Sequence, residues 1–522
     1  MADFTARRFA SAEISRQTFL AVLAVTFALR LALAAILPIT GDEAYFLSWG
    51  QYPDWGFYDH PPMVGWWLAA LAAISEHMVV LRAPALLVPV VLAGTVVAAL
   101  RSRDERLAWA TGTMVLLVPL NSWNVAITTD IPLMLFAGLT VLMYLRSLRT
   151  GRGIDFLITG LLLAGALLSK YFAGMLAFGI AAHALWRPSP RKLRGLALVI
   201  IGSLPGAAIQ IAWNWQNCWP NVMFNLVNRN EGAGWAWRNP LLYLVSLAYL
   251  LSPPLLMEMA RAARAWFSAR RSGAVVAPDG AERGVLVWLF GIPFALFAVL
   301  TLGKTIGLHW LASFVVPAVL WFALRRAGCD QRMTGALRFL GWFALAHYLL
   351  IATLLALPTE TFRSWKSYPS LVMTVHGPEL AQALAGYGPE VTLASNGYSA
   401  AVTMSYSAGR RFIVFGPGSS HARHDDILTD FRALAGRDIV IVRKDNFKPG
   451  EYEPYFDRVT YRSVTLRGAR FDLVEGHGLR YEAYRDAVLD QVRQHFYQLP
   501  GWLPRGQCYF CNRYFPERQC HR

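Results

Sequence analysis

Long apolar stretches alternate with short polar segments over the first two thirds of the chain. A helix rises about 1.5 Å per residue, so roughly 20 apolar residues are needed to cross about 30 Å of hydrocarbon. Stretches that approach or reach this length cover residues 18–38, 79–100, 107–121, 131–145, 154–169, 172–186, 195–213, 240–256, 284–302, 310–324 and 336–357. The pattern predicts a polytopic α-helical membrane protein with about eleven spans.

A different pattern begins near residue 358. Strand-like runs lie at 390–394, 411–415 and 438–442, with helix-like stretches at 378–386, 397–407 and 424–434. Strands that alternate with helices are typical of an α/β layer with a mainly parallel sheet. We therefore expect a membrane domain over residues 1–357, with a long first loop at 39–78, and a small α/β domain with a cysteine-containing tail over 358–522.

Composition supports the membrane assignment, and the basic residues predict an orientation. Of the 522 residues, 55% are hydrophobic, and the mean hydropathy of +0.36 exceeds that of ordinary soluble domains. Lys and Arg in short loops are retained in the cytoplasm. With the N-terminus inside, the cytoplasmic segments hold 22 basic residues and the opposite loops before residue 357 hold four. An odd number of spans then places the C-terminal domain in the periplasm, outside a bacterial inner membrane.

Two other interpretations of the basic residues are less favoured. The formal charge of +16 is largely explained by orientation, and no basic stripe stands free of the spans, so we expect no nucleic-acid partner. Arg7 and Arg8 before an apolar run also fit a signal peptide. That run is long for a signal core and contains Arg30, which favours an uncleaved first span.

The first external loop contains two motifs with reactive side chains. Thr40-Gly41-Asp42-Glu43-Ala44-Tyr45 follows the first span, and Trp55-Gly56-Phe57-Tyr58-Asp59-His60-Pro61-Pro62 comes later in the loop. Acids beside a membrane helix normally face a polar cavity or take part in chemistry. A carboxylate can accept the proton of a nucleophilic hydroxyl or amine. The alternative is that Asp42 and Glu43 both cap an interfacial helix.

Together the two motifs resemble the first external loop of bacterial relatives of dolichyl-phosphate-mannose protein mannosyltransferases. That superfamily includes the aminoarabinose and galacturonic acid transferases of lipid A. The resemblance implies the C-type glycosyltransferase fold, a sugar donor linked to a polyprenyl phosphate, inversion at the sugar, and an external soluble domain. It covers the membrane half well and extends loosely into the tail.

The resemblance also implies roles for individual acids. The catalytic base falls on Asp42, the adjacent acid on Glu43, and a second acidic position on Asp130 at the start of the fourth span. Asp130 precedes Ile131-Pro132, so a plain helix cap is an alternative for it.

Cations are needed where the phosphate leaves, because negative charge develops there. Lys170 is the first candidate, since the family has a lysine in a similar setting; the alternative is a snorkelling lysine that ends a helix. Weaker candidates for the phosphate are Arg82, Arg229, Lys304 and His309.

Aromatic and polar side chains are the candidates for binding sugar or acceptor. We assign Tyr45, Tyr58, Asp59 and His60 of the first loop to this role, together with Trp215. Trp215 belongs to an external loop at 214–240 that is rich in indoles and amides, which stack on sugars and bond to hydroxyls. An interfacial aromatic belt is the alternative for that loop.

Neither a metal nor a cofactor is expected. No Asp-x-Asp motif occurs in an external loop, and the mannosyltransferase branch implies metal independence, although Asp42, Asp59, His60 and Asp130 offer oxygen and nitrogen ligands for one ion. Cys508, Cys511 and Cys520 lie near the C-terminus. A local disulfide, a zinc knuckle and free thiols are all open for them.

The sequence therefore predicts a transferase that moves a sugar from a polyprenyl-phosphate donor to a glycolipid, polysaccharide or protein acceptor. A polytopic transporter is a rival, but the chain lacks internal repeats and mid-membrane charges that transporters show. A non-catalytic glycolipid-binding membrane protein is the other rival.

The orientation is directly testable. An alkaline phosphatase reporter fused after Arg522 is expected to be active, because that enzyme needs the periplasm, and a fluorescent reporter that needs the cytoplasm is expected to be silent. The reverse pattern would overturn the orientation and the outer placement of every candidate site residue.

Overall fold

The computed structural model describes residues 15–231, 234–272, 281–327, 330–419, 423–445, 448, 450–518 and 520. The chain packs as two compact units. The membrane unit comprises Met1–Ile36, Glu76–Ala207 and Ala233–Thr353. The C-terminal unit comprises Leu37–Ser75, Ala208–Gly232 and Leu354–Arg522. By packing, most of the first external loop thus belongs with the C-terminal segment.

Helices make up most of the described residues up to 356. They are α1 Arg16–Ile36, α2 Gly41–Gln51, α3 Met63–Ala72, α4 Met78–Leu81, α5 Ala83–Leu100, α6 Glu105–Leu117, α7 Pro119–Trp123, α8 Asp130–Thr150, α9 Gly153–Ser169, α10 Ala173–Leu185, α11 Pro190–Gln216, α12 Pro220–Val222, α13 Arg238–Arg271, α14 Ala281–Leu300, α15 Val315–Arg326 and α16 Asp330–Ala356. Short 3-10 or π segments lie at 223–230 and 308–314.

The predicted polytopic fold is confirmed. Eight stretches of the described chain are helical, long enough and apolar enough to cross a bilayer. The three other predicted spans, 107–121, 154–169 and 172–186, correspond to the shorter helices α6, α9 and α10. Each of the eleven apolar stretches therefore contains a helix.

Buried arginines in the membrane unit are satisfied by backbone carbonyls. Arg30 in α1 donates to the carbonyls of Ala85, of Leu86 at 3.2 Å and of Asn124 at 3.1 Å. Arg82, between α4 and α5, donates to the carbonyl of Ala34 at 2.9 Å. The carbonyls of Ala34, in the last turn of α1, and of Asn124, just after α7, have no intrahelical partner because the helices end there. The Ala85 carbonyl, near the start of α5, lacks one because Pro89 has no N–H. The two guanidinium groups thus donate to backbone carbonyls that apolar surroundings would leave without water, and they tie α1 to its neighbours.

Two acids on α13 and α14 pair with arginines that the sequence places on the cytoplasmic side. Glu258 of α13 is buried and pairs with Arg325 at 2.8 Å and with Arg326, both at the end of α15. Glu282 of α14 pairs with Arg103 at 2.7 Å and with Arg149 at 3.5 Å. Glu258 also lies 3.7 Å from Arg261 of its own helix. The other pairs join segments that are far apart in sequence.

The C-terminal segment contains short helices and one sheet. Its elements are α17 Tyr368–Val375, α18 Gly377–Gln382, β1 Thr392–Ser395, α19 Tyr398–Ala408, β2 Phe412–Val414, α20 Asp425–Leu428, β3 Ile439–Arg443, β4 Phe456–Leu466, β5 Ala469–Leu479, α21 Tyr481–Tyr484, α22 Asp490–Phe496 and α23 Tyr509–Tyr514. Single 3-10 or π turns lie at 359–362, 431–434, 453–455 and 485–489.

The sheet has five strands in the order β2-β1-β3-β5-β4. The three predicted strands are confirmed: β1 pairs in parallel with β2 and β3, with Ala394 opposite Ile413 and Ile441. The expectation of a mainly parallel sheet was wrong, because β5 pairs antiparallel with both β3 and β4. Arg467 and Gly468, both at positive φ, form the two-residue turn of this β4-β5 hairpin. The hairpin lacked a clear pattern because β4 is mostly exposed.

Disulfides link segments of the C-terminal unit. Cys218 bonds to Cys508, 290 residues later, and Cys511 bonds to Cys520. The local disulfide that the sequence offered thus forms between Cys511 and Cys520, whereas the long-range partner of Cys508 was not predicted. Cys329 lies outside the described residues.

We expect the Cys218 to Cys508 disulfide to stabilise the C-terminal unit. Removing a native disulfide typically costs about 2–5 kcal/mol. Cys218→Ser and Cys508→Ser should therefore each lower the thermal midpoint of the purified protein, and the double variant should be no less stable than the worse single one. Additive losses in the double variant, or unchanged midpoints, would contradict a bond between these two residues.

Candidate functional site

Asp42 and Glu43 lie in the first turn of α2 and have different surroundings. Thr40, not Asp42, is the N-cap of the helix: its hydroxyl accepts from the Glu43 N–H at 3.2 Å. Glu43 returns the interaction, since its Oε2 accepts from the Thr40 N–H at 3.2 Å. This capping box satisfies two amide groups at the helix start. The capping alternative therefore describes Glu43, which is fully buried.

Asp42 is exposed. Within the described parts of the chain, no hydrogen bond or ion pair reaches its carboxylate. The capping box next to it fixes the backbone from which it projects, so Asp42 is an ionisable group held on an ordered helix turn. The Asp42 carboxylate is therefore accessible from solvent.

Three further first-loop residues form a buried polar cluster. The Tyr45 hydroxyl donates to Asp59 Oδ1 at 2.5 Å, and His60 Nδ1 lies 3.0 Å from Asp59 Oδ2. Burial would raise the pKa of Asp59, but the charge and hydrogen bond of His60 and the Tyr45 hydroxyl lower it below its usual value. Burial and the charge of Asp59 raise the pKa of Tyr45 well above its usual range, so its hydroxyl stays a donor.

Residues outside the first loop surround this cluster within the C-terminal unit. Burial lowers the pKa of Arg229, and the charge of Asp59 acts in the opposite direction. Tyr398 at the start of α19 packs edge-on against Tyr45, with 4.6 Å between ring centroids. His424 packs against Phe57 at 4.9 Å, and burial lowers its pKa to about 3, so it is neutral. Asp59 is thus a buried negative charge in contact with Tyr45 and His60, and aromatic rings pack around this cluster.

The remaining two candidates of this unit differ in accessibility. Tyr58 is fully buried, and its hydroxyl accepts from Asn228 Nδ2 at 3.1 Å. Its side chain therefore holds the loop and is not available to a substrate in this conformation. Trp215 is exposed at 43% and packs edge-on against Trp219. A stacking surface is available at Trp215.

In the membrane unit, Asp130 and Lys170 form a buried ion pair. Asp130 is the first residue of α8 and Lys170 follows the last residue of α9. The Lys170 Nζ lies 2.8 Å from Oδ1 and 2.9 Å from Oδ2 of Asp130. Thr129 is the residue before the helix, so Asp130 does not act as the cap. This buried ion pair replaces both alternatives, the snorkelling lysine at 170 and the plain helix cap at 130.

Lys170 and two further phosphate candidates of the membrane unit lie beside aromatic rings. Lys170 is 5.4 Å from the ring centroid of Phe172, and Lys304 is 5.9 Å from that of Trp310. The two rings contact each other at 4.4 Å, and the exposed His309 is next to Trp310. Three of the phosphate candidates therefore share one aromatic pair. Arg82 is instead buried and bonded to the Ala34 carbonyl, as described above.

Within the described residues, the only group of three or more His, Cys, Asp or Glu side chains close enough to hold a metal is Cys508, Cys511 and Cys520. All three are in disulfides, and a disulfide sulfur is not the thiolate that zinc binds. Metal independence stays a prediction.

Several residues that shape the first loop were missed from the sequence. A Cβ at Gly41 would overlap the Ser399 hydroxyl, so α19 packs directly against the start of α2. Asn221 Nδ2 donates to the backbone carbonyls of Phe57 and Tyr58, the latter at 2.8 Å. No local pattern marks Ser399 or Asn221, because their role depends on segments that are distant in sequence.

Comparison with known proteins yields one family and one curated relative. The dolichyl-phosphate-mannose-protein mannosyltransferase family matches residues 59–214, which include Asp59, His60, Arg82, Asp130 and Lys170 but begin after Asp42. Lipid A galacturonosyltransferase RgtD of Rhizobium johnstonii is 26% identical over 182 residues. That match spans 34% of this chain and 38% of the relative.

Solved structures of ArnT from Cupriavidus metallidurans show the same fold. The form bound to undecaprenyl phosphate matches with a TM-score of 0.59 over 88% of this chain and 98% of that chain, at 14% identity. The apo form matches with a TM-score of 0.54 over 88% and 97% of the two chains, also at 14% identity. The resemblance drawn from the first loop is confirmed: the chain is similar to the protein mannosyltransferase family over residues 59–214, to a lipid A sugar transferase over 182 residues, and to ArnT in its fold.

Proposed function

We propose that the chain is an inverting glycosyltransferase that moves a sugar from a polyprenyl-phosphate donor to an acceptor on the periplasmic face of a bacterial inner membrane. The superfamily supports the reaction class. ArnT from Cupriavidus metallidurans is bound to undecaprenyl phosphate in one of its structures, which supports the donor class. The name of the curated relative favours lipid A, a glycolipid, among the acceptor classes.

Asp42 is the proposed general base, and its exposure beside a fixed capping box is the observation that carries the mechanism. The acceptor oxygen or nitrogen attacks the anomeric carbon while its proton passes to the Asp42 carboxylate. The bond between the anomeric carbon and the phosphate oxygen breaks, and the electron pair leaves with the polyprenyl phosphate. One attack from the side opposite the leaving group inverts the anomeric centre.

Glu43 and the Tyr45, Asp59 and His60 cluster are proposed to position rather than to exchange protons. Glu43 is buried and its oxygen is engaged by the Thr40 amide, so its role is to hold the turn. Tyr45 is tied to Asp59, which leaves His60 and the exposed Trp215 as the polar and stacking contacts of this unit.

Lys170 is proposed to receive the charge of the leaving phosphate. Its pairing with Asp130 orients the buried Lys170 side chain before the donor arrives. Lys304 and His309, which lie at the same aromatic pair, are proposed to add positive charge as the phosphate leaves. Asp130 thereby acts on the phosphate only through Lys170.

The Asp42 assignment predicts a large loss of chemistry with intact folding. Asp42→Asn keeps the shape of the side chain but accepts no proton, so transfer should fall by about 10²–10⁴-fold. Glu43→Gln is the matched control: the amide oxygen of a glutamine can still accept from the Thr40 N–H, so the capping box should be kept and turnover should be affected less. The measurement is transfer of labelled sugar from a polyprenyl-phosphate donor by purified variants. A folded Asp42→Asn enzyme with near-normal turnover would eliminate Asp42 as the base.

The Lys170 assignment predicts that a second substitution restores thermal stability but not donor binding. Lys170→Ala leaves Asp130 buried and unpaired, which costs about 3–5 kcal/mol. Adding Asp130→Ala should recover much of that thermal stability. Binding of undecaprenyl phosphate should stay roughly tenfold or more weaker in both variants, because a charge-assisted contact is lost. Recovery of binding together with stability in the double variant would reduce the pair to a structural role.

A further inference from the structure

An open cleft lies in the membrane unit at the opposite end of α8 from Asp130. The turn between α8 and α9, from Gly151 to Gly153, forms one side, and the first turns of α11 form the other. Arg191 and Arg194 line it together with the apolar side chains of Phe156 and Leu198. We call this the basic cleft.

Close packing at glycines builds the cleft. Gly151 ends α8 at φ +68°, and a Cβ there would lie 2.8 Å from the Arg191 guanidinium. Arg191 also donates to the Leu148 carbonyl at 2.6 Å, which satisfies the end of α8. A Cβ at Gly195 would lie 2.6 Å from the Phe156 ring. The floor of the cleft is therefore fixed by backbone and ring contacts.

Positive charge around the cleft exceeds what the neighbouring acids neutralise. The segments 146–152 and 187–194 hold seven Lys and Arg residues and no acid. Arg146 pairs with the buried Asp155 at 3.7 Å, Arg149 pairs with Glu282, and Lys192 donates to the carbonyl of Trp186 at 2.9 Å. Arg152, Arg187 and Arg194 have no side-chain partner within the described chain.

Exposed apolar side chains beside these cations mark the depth of a bilayer interface. Trp186 is exposed at the end of α10, and Ile154 and Leu193 are exposed at the starts of α9 and α11. An indole and aliphatic side chains next to free guanidinium groups are the composition of a surface that meets both acyl chains and headgroups. A basic pocket between helices at this depth suits an anionic lipid headgroup.

We propose that the basic cleft binds an anionic phospholipid, with Arg191 and Arg194 at the phosphate and an acyl chain along Phe156 and Leu198. Membrane orientation depends only on how many cations a loop holds and on which side of the membrane the loop lies. It does not require a glycine-lined cleft with an apolar wall and an unpaired arginine. This site is independent of the proposed sugar transfer and, on the predicted orientation, lies in the cytoplasmic leaflet.

The test compares lipid retention by the full-length purified protein and two matched variants. Arg191→Gln/Arg194→Gln removes two charges from the cleft, and Arg264→Gln/Arg271→Gln removes two from the end of α13, where neither has a side-chain partner within the described residues. Native mass spectrometry after exchange with phosphatidylglycerol or phosphatidylcholine measures bound lipid. We expect the cleft variant to retain phosphatidylglycerol roughly tenfold or more weakly, and the control to retain it as the parent does.

Two outcomes would overturn the proposal. Equal retention of phosphatidylglycerol by parent and cleft variant would mean that the cleft cations only orient the protein in the membrane. Displacement of the lipid by millimolar inorganic phosphate would identify a site for free phosphate. A variant that elutes as an aggregate is replaced by Leu198→Trp, which keeps both charges, fills the apolar wall and is expected to reduce phosphatidylglycerol retention as well.

Discussion

Among the described residues of the membrane unit, each buried charged side chain has a partner inside the protein. Hydrocarbon offers no hydrogen bonds, so an unpaired buried ion would cost several kcal/mol. Arg30 and Arg82 use backbone carbonyls, Glu258 uses arginines of α15, and Lys170 uses Asp130. The arginine and Glu258 contacts join helices that are separated in sequence, and the Lys170 pair joins the far ends of the consecutive helices α8 and α9. The constraint that forbids unpaired charge thus also fixes which helices are neighbours.

Buried polar groups of the first external loop are also paired inside the protein, but within the C-terminal unit. The loop contributes Tyr45, Asp59 and His60 to one buried cluster, and the C-terminal segment adds Tyr398 and His424 around it. A capping box orders the start of α2 and leaves Asp42 exposed beside it. The C-terminal segment thus packs against the first loop and supports the turn from which Asp42, the proposed base, projects.

Prediction from the sequence succeeded where the signal was local and periodic. Eleven apolar stretches became helices because their length and composition leave a helix as the only satisfied backbone in hydrocarbon. The strands β1, β2 and β3 were found because buried parallel strands read as short apolar runs. The β4-β5 hairpin was missed because its outer strand is mostly solvent-exposed and lacks that run. The motifs of the first loop indicated the resemblance that the comparisons support, since their residues are specific as a set.

What the sequence by itself determined is the class of the protein: a polytopic helical chain with an α/β C-terminal segment, and a first loop rich in acids and aromatic rings. Tertiary structure alone decided the partners. Asp130 meets Lys170 across 40 residues, and Cys218 meets Cys508 across 290. It also divided two adjacent acids into a buried cap, Glu43, and an exposed carboxylate, Asp42. The reason is that periodicity encodes which face of an element is buried, whereas the partner on that face is set by packing of segments that no local pattern connects.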